Sequence, residues 1–334
     1  MPFISVVTPV FNAALFLEEM LQSLLNQTFK DWECILINDG STDDSLSIIE
    51  RYANLDSRIK FESNIKNSGN ASIPREQAIN FSTGEWIYNL DADDYIEKDT
   101  LLKMHQRCIE TEADVILGRL VYFDANTRRK KYSIPNEDFD MDQILLGKDA
   151  CKLTFGGWKI STNGMLVRRE LYSMTKSGPF ISSDEYNYRI ILLSSKNIAF
   201  CNAIEYCRVH SNSITNKIVS TKRFESLYVD SLLLELVKLN YADDDKLVDL
   251  MYRAKINSLL NYQRDYIGLR RLFSKDDRKT IRRTIKDNFN TLDINKTKQV
   301  ITLRWKNLFL YNYKCFVVYS YIYPYYKKIV NIVK

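Results

Sequence analysis

The sequence is poor in the residues that staple or ligate by themselves. Its six cysteines, at 34, 108, 151, 201, 207 and 315, form no CxxC pair and no dense framework. That speaks against a disulfide scaffold and reads as scattered reduced thiols in a cytosolic protein. No run of about 18 uninterrupted apolar residues occurs, so no transmembrane helix is expected. The opening "MPFISVVTPVFN" lacks a basic n-region and reads at once as a strand, so no signal peptide is expected. A formal net charge of +5 over 334 residues is too weak to argue for nucleic acid, and no such partner is expected. Histidine occurs only at 105 and 210. The first strand is followed by "TPVFNAA", without the glycine or lysine of a phosphate-gripping loop, which weighs against a nucleotidyltransferase.

What is present is an ordinary globular balance, 45% hydrophobic and 27% charged, long enough for one large domain and an appendage. Phe3–Asn12 is a compact apolar, β-branched run ended by Pro and Asn, and predicts a buried strand. Leu15, Leu17, Met20, Leu21, Leu24 and Leu25 then recur at helical spacing. "WECILINDGSTDDSLSIIERYA" repeats the pattern, with a strand over Glu33–Asn38, a loop over Asp39–Thr42 and a helix. Phe61 belongs to a third strand, a helix is expected over Arg75–Phe81, and Trp86–Leu90 forms a further strand. Ala113–Asp124 reads as a strand, and Ser183–Ser195 as a helix with Asp184 near its start. Alternating β and α segments with continuous apolar strands predict an α/β domain on a mainly parallel sheet. Ligands of such sheets sit beyond the carboxyl ends of the strands. The polar clusters Thr8–Asn12, Asn38–Ser41 and Asp91–Asp94 all fall there.

From about 215–220 the texture becomes helical. The expected division is a catalytic domain over 1–217, a helical appendage over 218–300 and a basic, aromatic C-terminal segment over 301–334. That last segment carries Arg304, Lys306, Lys314, Lys327, Lys328 and Lys334 without an acid from Arg304 onward. Its interleaved Tyr and Trp suit a bilayer interface, and equally a helix docked on its own protein or a twin subunit.

"YNLDADDYIEKD" places three aspartates in four positions, 91, 93 and 94, at a strand end. Such crowding is unfavourable unless a cation sits in it. An EF-hand loop fails, because the position of its glycine is Ile96 and that of its bidentate glutamate is Leu102. A phosphatase nucleophile belongs on a first strand, and this is about the fourth. A helix start after the cluster explains an Asp but not Asp91 and Asp93 together. Mg²⁺ or Mn²⁺ carrying a diphosphate fits: these ions take oxygen ligands from carboxylates, phosphates and water.

"ISVVTPVFNAALFLEEMLQSLLNQTFKDWECILINDGSTDDS", followed by "NLDADDY", resembles the family 2 glycosyltransferases with the GT-A nucleotide-sugar-binding fold, over roughly residues 1–215. "NSGNASIPREQAI" is also similar to the matching stretch of wall-teichoic-acid N-acetylglucosaminyltransferases. The resemblance implies roles. Pro9, Phe11 and Asp39 would cradle uridine, with Asp39 facing uracil; Asn38 departs from the usual acidic pair. Asp91 would approach the ribose and donor sugar, and Asp93 would bind Mn²⁺ or Mg²⁺. Arg75 would pack against the donor-site acids, either as ligand or as structural ion pair. In "SDEYNY", Asp184 aligns with the general base, with Glu185 one residue away as rival. "CRVHSNSIT" implies Arg208 beside phosphate charge and His210 on the metal or the diphosphate, against a purely structural histidine; His105 lies outside any motif. "GGWKISTNG" would line the acceptor side, with Trp158 stacking on a sugar or packed in the core.

The activity so implied is metal-dependent inverting transfer from a nucleotide sugar, UDP-linked, to a hydroxyl of a bacterial surface glycan or its lipid-linked precursor. It would work at the cytoplasmic face of the membrane, with peripheral contact through the C-terminus. A non-catalytic sugar-nucleotide binder is the other reading left open, beside the disfavoured nucleotidyltransferase.

Overall fold

A computed structural model describes residues 1–155, 163–175, 183–210, 220–300 and 312–321. The described residues up to 213 form one compact unit, and those from 214 onward a second.

The first unit is built on strand β1 (Ile4–Val10), flanked by β2 (Trp32–Asp39) and β4 (Trp86–Asn89), both parallel to it. β3 (Ile59–Asn64) adds in parallel outside β2. β1, β2 and β4 are buried along almost their whole length, which is why they read as unbroken apolar runs rather than alternating ones. Adjacent residues serve opposite faces. Val6, Val10 and Leu36 meet the buried stripe Leu17, Met20, Leu21 and Leu24 of α1 (Ala14–Leu25). α2 (Ser45–Leu55) and α4 (Thr100–Thr111) contribute to that same core. Val7, Ile35, Ile37 and Ile87 face the other way, onto Ala78 of α3 (Ser72–Phe81).

The remainder of the sheet is mixed. β9 (Met165–Arg168) runs antiparallel between β4 and β6 (Val115–Asp124), and β6 pairs in parallel with β10 (Asn197–Val209). β5 (Tyr95–Ile96), β7 (Lys130–Ile134) and β8 (Ile144–Leu146) are short antiparallel additions. The mainly parallel sheet read from the sequence is therefore the β3-β2-β1-β4 half. α5 (Gly147–Phe155) packs on α6 (Ser183–Ser194).

The second unit is helical: α7 (Ser226–Asn240), α8 (Asp245–Leu269), α9 (Lys275–Asn290), α10 (Ile294–Val300) and α11 over 313–321. A reciprocal Ser274–Asp277 capping box starts α9. The core includes Phe224, Leu227, Leu259, Ile285, Phe289 and Phe316. Phe316 is 1% exposed, so this part of the aromatic tail is packed on its own unit. Among the described residues no helix is long and apolar enough to cross a membrane.

Candidate active site

Because β1, β2 and β4 run parallel, their carboxyl ends share one edge. The register sets Val10 beside Asn38, and Val7 beside Asn89 two residues before Asp91. Three separate sequence clusters thus open onto the same edge. Phe11 is 45% exposed there, and Pro9 is half-buried.

Asp39 ends β2 and is buried. Its carboxylate accepts from Asn64 Nδ2 at 2.9 Å, Asn67 Nδ2 at 3.1 Å, and the Ser68 N–H and Oγ at 2.9 and 2.8 Å. The 64–68 loop can close on it because the next residue is Gly40, at φ 68°; a Cβ there would meet Lys66 and Asn67 backbone atoms at 2.8 Å. An ionised carboxylate has about four lone-pair sites. A ring N–H can therefore bind Asp39 only where one of these donors gives way. Asn38 holds the turn instead, accepting from the Ser41 N–H at 3.2 Å.

Asp91, Asp93 and Asp94 each offer an oxygen within 4.8 Å of the others. They are held differently. Asp91 Oδ1 accepts from Arg75 Nη2 at 3.0 Å, and its Oδ2 from Asn163 Nδ2 at 2.8 Å. The same Arg75 donates through Nη1 to Asp184 Oδ1, also at 3.0 Å. Burial works against the Arg75 charge, but Asp184 and Asp91 outweigh it and push its pKa up. Its Nε is buried without a partner among the described residues. Asp184 itself, in the first turn of α6, is partly open to solvent. Glu185 points away, paired with Arg189 one turn on.

Asp93 Oδ2 lies 2.9 Å from His210 Nε2. Burial and then Asp91 push its carboxyl up, while His210 pulls it down. Asp94 is buried and accepts from the Arg208 N–H at 2.7 Å; burial, followed by Asp93, Glu205 and Asp91, raises it well above the ordinary range. Beneath lies Glu205, accepting from the Tyr88 hydroxyl at 2.6 Å and the Gly164 N–H at 3.0 Å. Its carboxyl is pushed up to about 8, chiefly by burial. Carboxylates this crowded, with an imidazole alongside, form an oxygen-rich donor set that suits Mg²⁺ or Mn²⁺. A divalent cation would relieve the repulsion that raises Asp93. The residues present fit the ion.

Arg208 lies at the end of β10, beside the aspartate turn. Its guanidinium is buried, donating to Glu19 Oε2 and the Asp93 carbonyl at 2.7 Å each, and lies over the Phe16 ring. It fixes the backbone of the aspartate turn. Trp158 lies outside the described residues. His105 packs between Phe3 and Phe29. The sequence reading missed Glu19, Asn64, Asn67, Ser68, Glu205 and Tyr172, whose hydroxyl accepts from Asn89. The polar run "NIKNSGN" after β3 could have signalled the Asp39 loop; the others carry no local signal.

Residues 5–171 match the profile of glycosyl transferase family 2. The chain is 26% identical over 219 residues to the glycosyltransferase GlyG of Streptococcus pneumoniae serotype 4, covering 63% of this chain and 72% of GlyG. Over 119 residues it is 39% identical to the poly(ribitol-phosphate) beta-glucosyltransferase of Bacillus spizizenii, covering 35% of this chain but only 19% of that protein. The solved structure of Staphylococcus aureus TarS 1-349 with UDP-GlcNAc superposes with a TM-score of 0.67 at 18% identity, covering 95% of this chain and 89% of that one. That likeness identifies the fold as GT-A. With half the chain matched by the family profile and the acids of the strand ends gathered at one edge, the protein belongs to glycosyl transferase family 2.

Proposed function

We propose that the protein is a metal-dependent, inverting glycosyltransferase that moves a hexosyl or N-acetylhexosaminyl group from a UDP-linked donor to a hydroxyl of a bacterial surface glycan or its lipid-linked precursor. The observation that carries this reading is the Arg75 bridge. One buried guanidinium holds a donor-side acid, Asp91, and a partly open acid on another element, Asp184, at a fixed spacing. A non-catalytic binder has no need of the second carboxylate.

In this reading Asp184 takes the proton of the acceptor hydroxyl as that oxygen attacks the anomeric carbon. The bond from that carbon to the diphosphate breaks on the opposite face, and UDP departs with the electron pair. Attack opposite the leaving group inverts an α-linked sugar to a β-linked product. Asp91 orients the ribose and donor sugar, with Arg75 and Asn163 fixing both of its oxygens. Pro9 and Phe11 flank the uridine, and Asp39 meets uracil by exchanging one of its loop donors. Mn²⁺ or Mg²⁺, held by Asp93 and His210, would neutralise the charge that develops on the diphosphate. Trp158 serves the acceptor side. The resemblance of "NSGNASIPREQAI" to teichoic-acid transferases, and a relative named for poly(ribitol-phosphate), support a surface polymer as acceptor. We read the basic residues of 301–334 outside the packed stretch 312–321 as suited to work at the cytoplasmic face of the membrane.

The test is product identity. Full-length protein incubated with UDP-sugars, Mn²⁺ and surface-glycan acceptors is expected to release UDP, and chelator is expected to abolish the release. Release of pyrophosphate from UTP and a sugar 1-phosphate would instead establish a nucleotidyltransferase. Metal-dependent donor binding with no turnover on any acceptor, and no slow hydrolysis, would favour the binder.

A further inference from the structure

The helical unit holds a cavity of about 540 Å³, within the ~300–1,000 Å³ range of small-ligand sites. Three helices each give it one face. Gln263, Tyr266 and Arg270 come from α8 and its C-terminal turn; Lys275, Arg278 and Arg282 come from α9; and Tyr313, Val317 and Tyr321 come from α11. Spacings of three or four residues within each set place these side chains in line along each helix.

The lining is unbalanced. Four cations face the cavity, and no carboxylate does. Among the described residues none of the four is in an ion pair. The ion pair of α9 uses Arg283 and Asp287, and Asp277 is engaged with Ser274. Like charges gathered on one concave wall repel unless an anion joins them. A second observation is independent of charge. Gln263 is 2% exposed, and its Oε1 has no hydrogen-bond partner among the described residues. A buried acceptor left in that state calls for a donor. The ionised oxygens of a phosphate group supply none, whereas an alcohol hydroxyl does. Three arginine forks match phosphate oxygens in pairs. Tyr266 and Tyr321 add ring surface for a carbon skeleton, Tyr321 being fixed by a 2.6 Å hydrogen bond from Arg270.

We propose that this cavity binds a phosphate ester of a hydroxylated carbon chain, with the phosphate on Arg278, Arg282, Lys275 and Arg270 and a hydroxyl donating to Gln263. A soluble polyol phosphate and a phosphatidylglycerol headgroup share this chemistry. The proposal does not depend on the transfer reaction.

The experiment is calorimetric titration of the full chain, with chelator present to silence the acidic site. The probes are glycerol 1-phosphate, inorganic phosphate and phosphatidylglycerol vesicles. One equivalent of glycerol 1-phosphate is expected to bind more tightly than inorganic phosphate. Joint Arg278→Ala and Arg282→Ala substitution is expected to weaken it by roughly tenfold or more, since hydrogen bonds to charged groups are lost. Gln263→Met is expected to remove the preference over inorganic phosphate. The arginines lie on the α9 surface, so that variant keeps the test open if Gln263→Met fails to fold. Binding to vesicles alone, abolished by the arginine variant, supports the site and names the lipid headgroup as its source. Equal affinity for inorganic phosphate, indifference to the arginine variant, or no binding to either ester would overturn the proposal. So would tighter binding of a short oligonucleotide through the same arginines.

Discussion

Arg75 and Asp184 stand 109 residues apart, yet an Nη1 of one donates to an Oδ1 of the other across 3.0 Å, while the remaining Nη2 of the same guanidinium holds Asp91. The fork geometry matters here more than the charge. Arg75→Lys keeps the charge but cannot span two carboxylates from one rigid plane. We expect Arg75→Lys to lower kcat by about 10-fold or more and Arg75→Met by about 100-fold, in line with misplacement of groups that must be held near attack geometry. Steady-state UDP release checks this. A kcat unchanged in Arg75→Lys would reduce the bridge to a structural ion pair.

Asp184 and Glu185 are neighbours with separate fates. Asp184 is held by Arg75 at the edge where the aspartates gather, whereas Glu185 is drawn back along α6 by Arg189. Asp184→Asn is expected to cut kcat by about 10²–10⁴-fold, the usual loss for a proton acceptor, with UDP-sugar affinity kept. Glu185→Gln is expected to leave kcat within a few-fold. The reverse ranking would exchange their roles.

The extent to which this was legible in the sequence follows from the range of each interaction. β1, β2 and β4 were readable because a strand buried on both faces must be apolar throughout, and α1 because its buried residues fall at helical spacing. The edge at which Pro9, Asp39 and Asp91 gather followed from parallel strand direction alone. β10 was not readable as a strand. Asn202, Glu205 and Arg208 interrupt its apolar pattern, and the partners of the last two come from elsewhere in the chain. Arg208 meets Glu19 across 189 residues, and Glu205 meets Tyr88 across 117. Composition was likewise silent on the tail. Tyr, Phe and Lys in alternation serve a bilayer or a protein core equally, and only the position of Phe316 decides for 312–321.

Glu33 gives the catalytic unit a sensitivity to acid. Its burial alone would raise the carboxyl, but Lys60 at 2.7 Å, the Thr83 N–H and the Ser5 hydroxyl outweigh that and lower it to about 2. A carboxyl depressed in the folded state stabilises above its unfolded value of 4.5, and that stability is lost as pH falls toward 2. The unfolded chain binds more protons across this window, so unfolding takes up about one proton through this group. Glu33→Gln is expected to be less stable at neutral pH and to flatten the fall in stability between those limits. Denaturant unfolding at stepped pH checks both. A parallel pH profile for the two proteins would remove Glu33 from the account.

Phe316 tests what the aromatic tail is for. Its ring is 1% exposed, with Phe289 at a centroid distance of 5.0 Å and Tyr313 at 6.0 Å. Truncating a buried phenylalanine typically costs about 3–5 kcal/mol, from lost transfer free energy and the cavity left behind. Phe316→Ala is expected to destabilise the helical unit by about that amount, read as an earlier unfolding transition by tryptophan-independent circular dichroism. UDP-sugar binding at the acidic edge is expected to survive below that transition, since Asp39, Asp91 and Asp184 belong to the other unit. Val318, 56% exposed, supplies the control: Val318→Ala on the outward side of the same helix is expected to change stability by less than about 0.5 kcal/mol. Equal effects from the two substitutions would mean that α11 is not anchored by its buried ring.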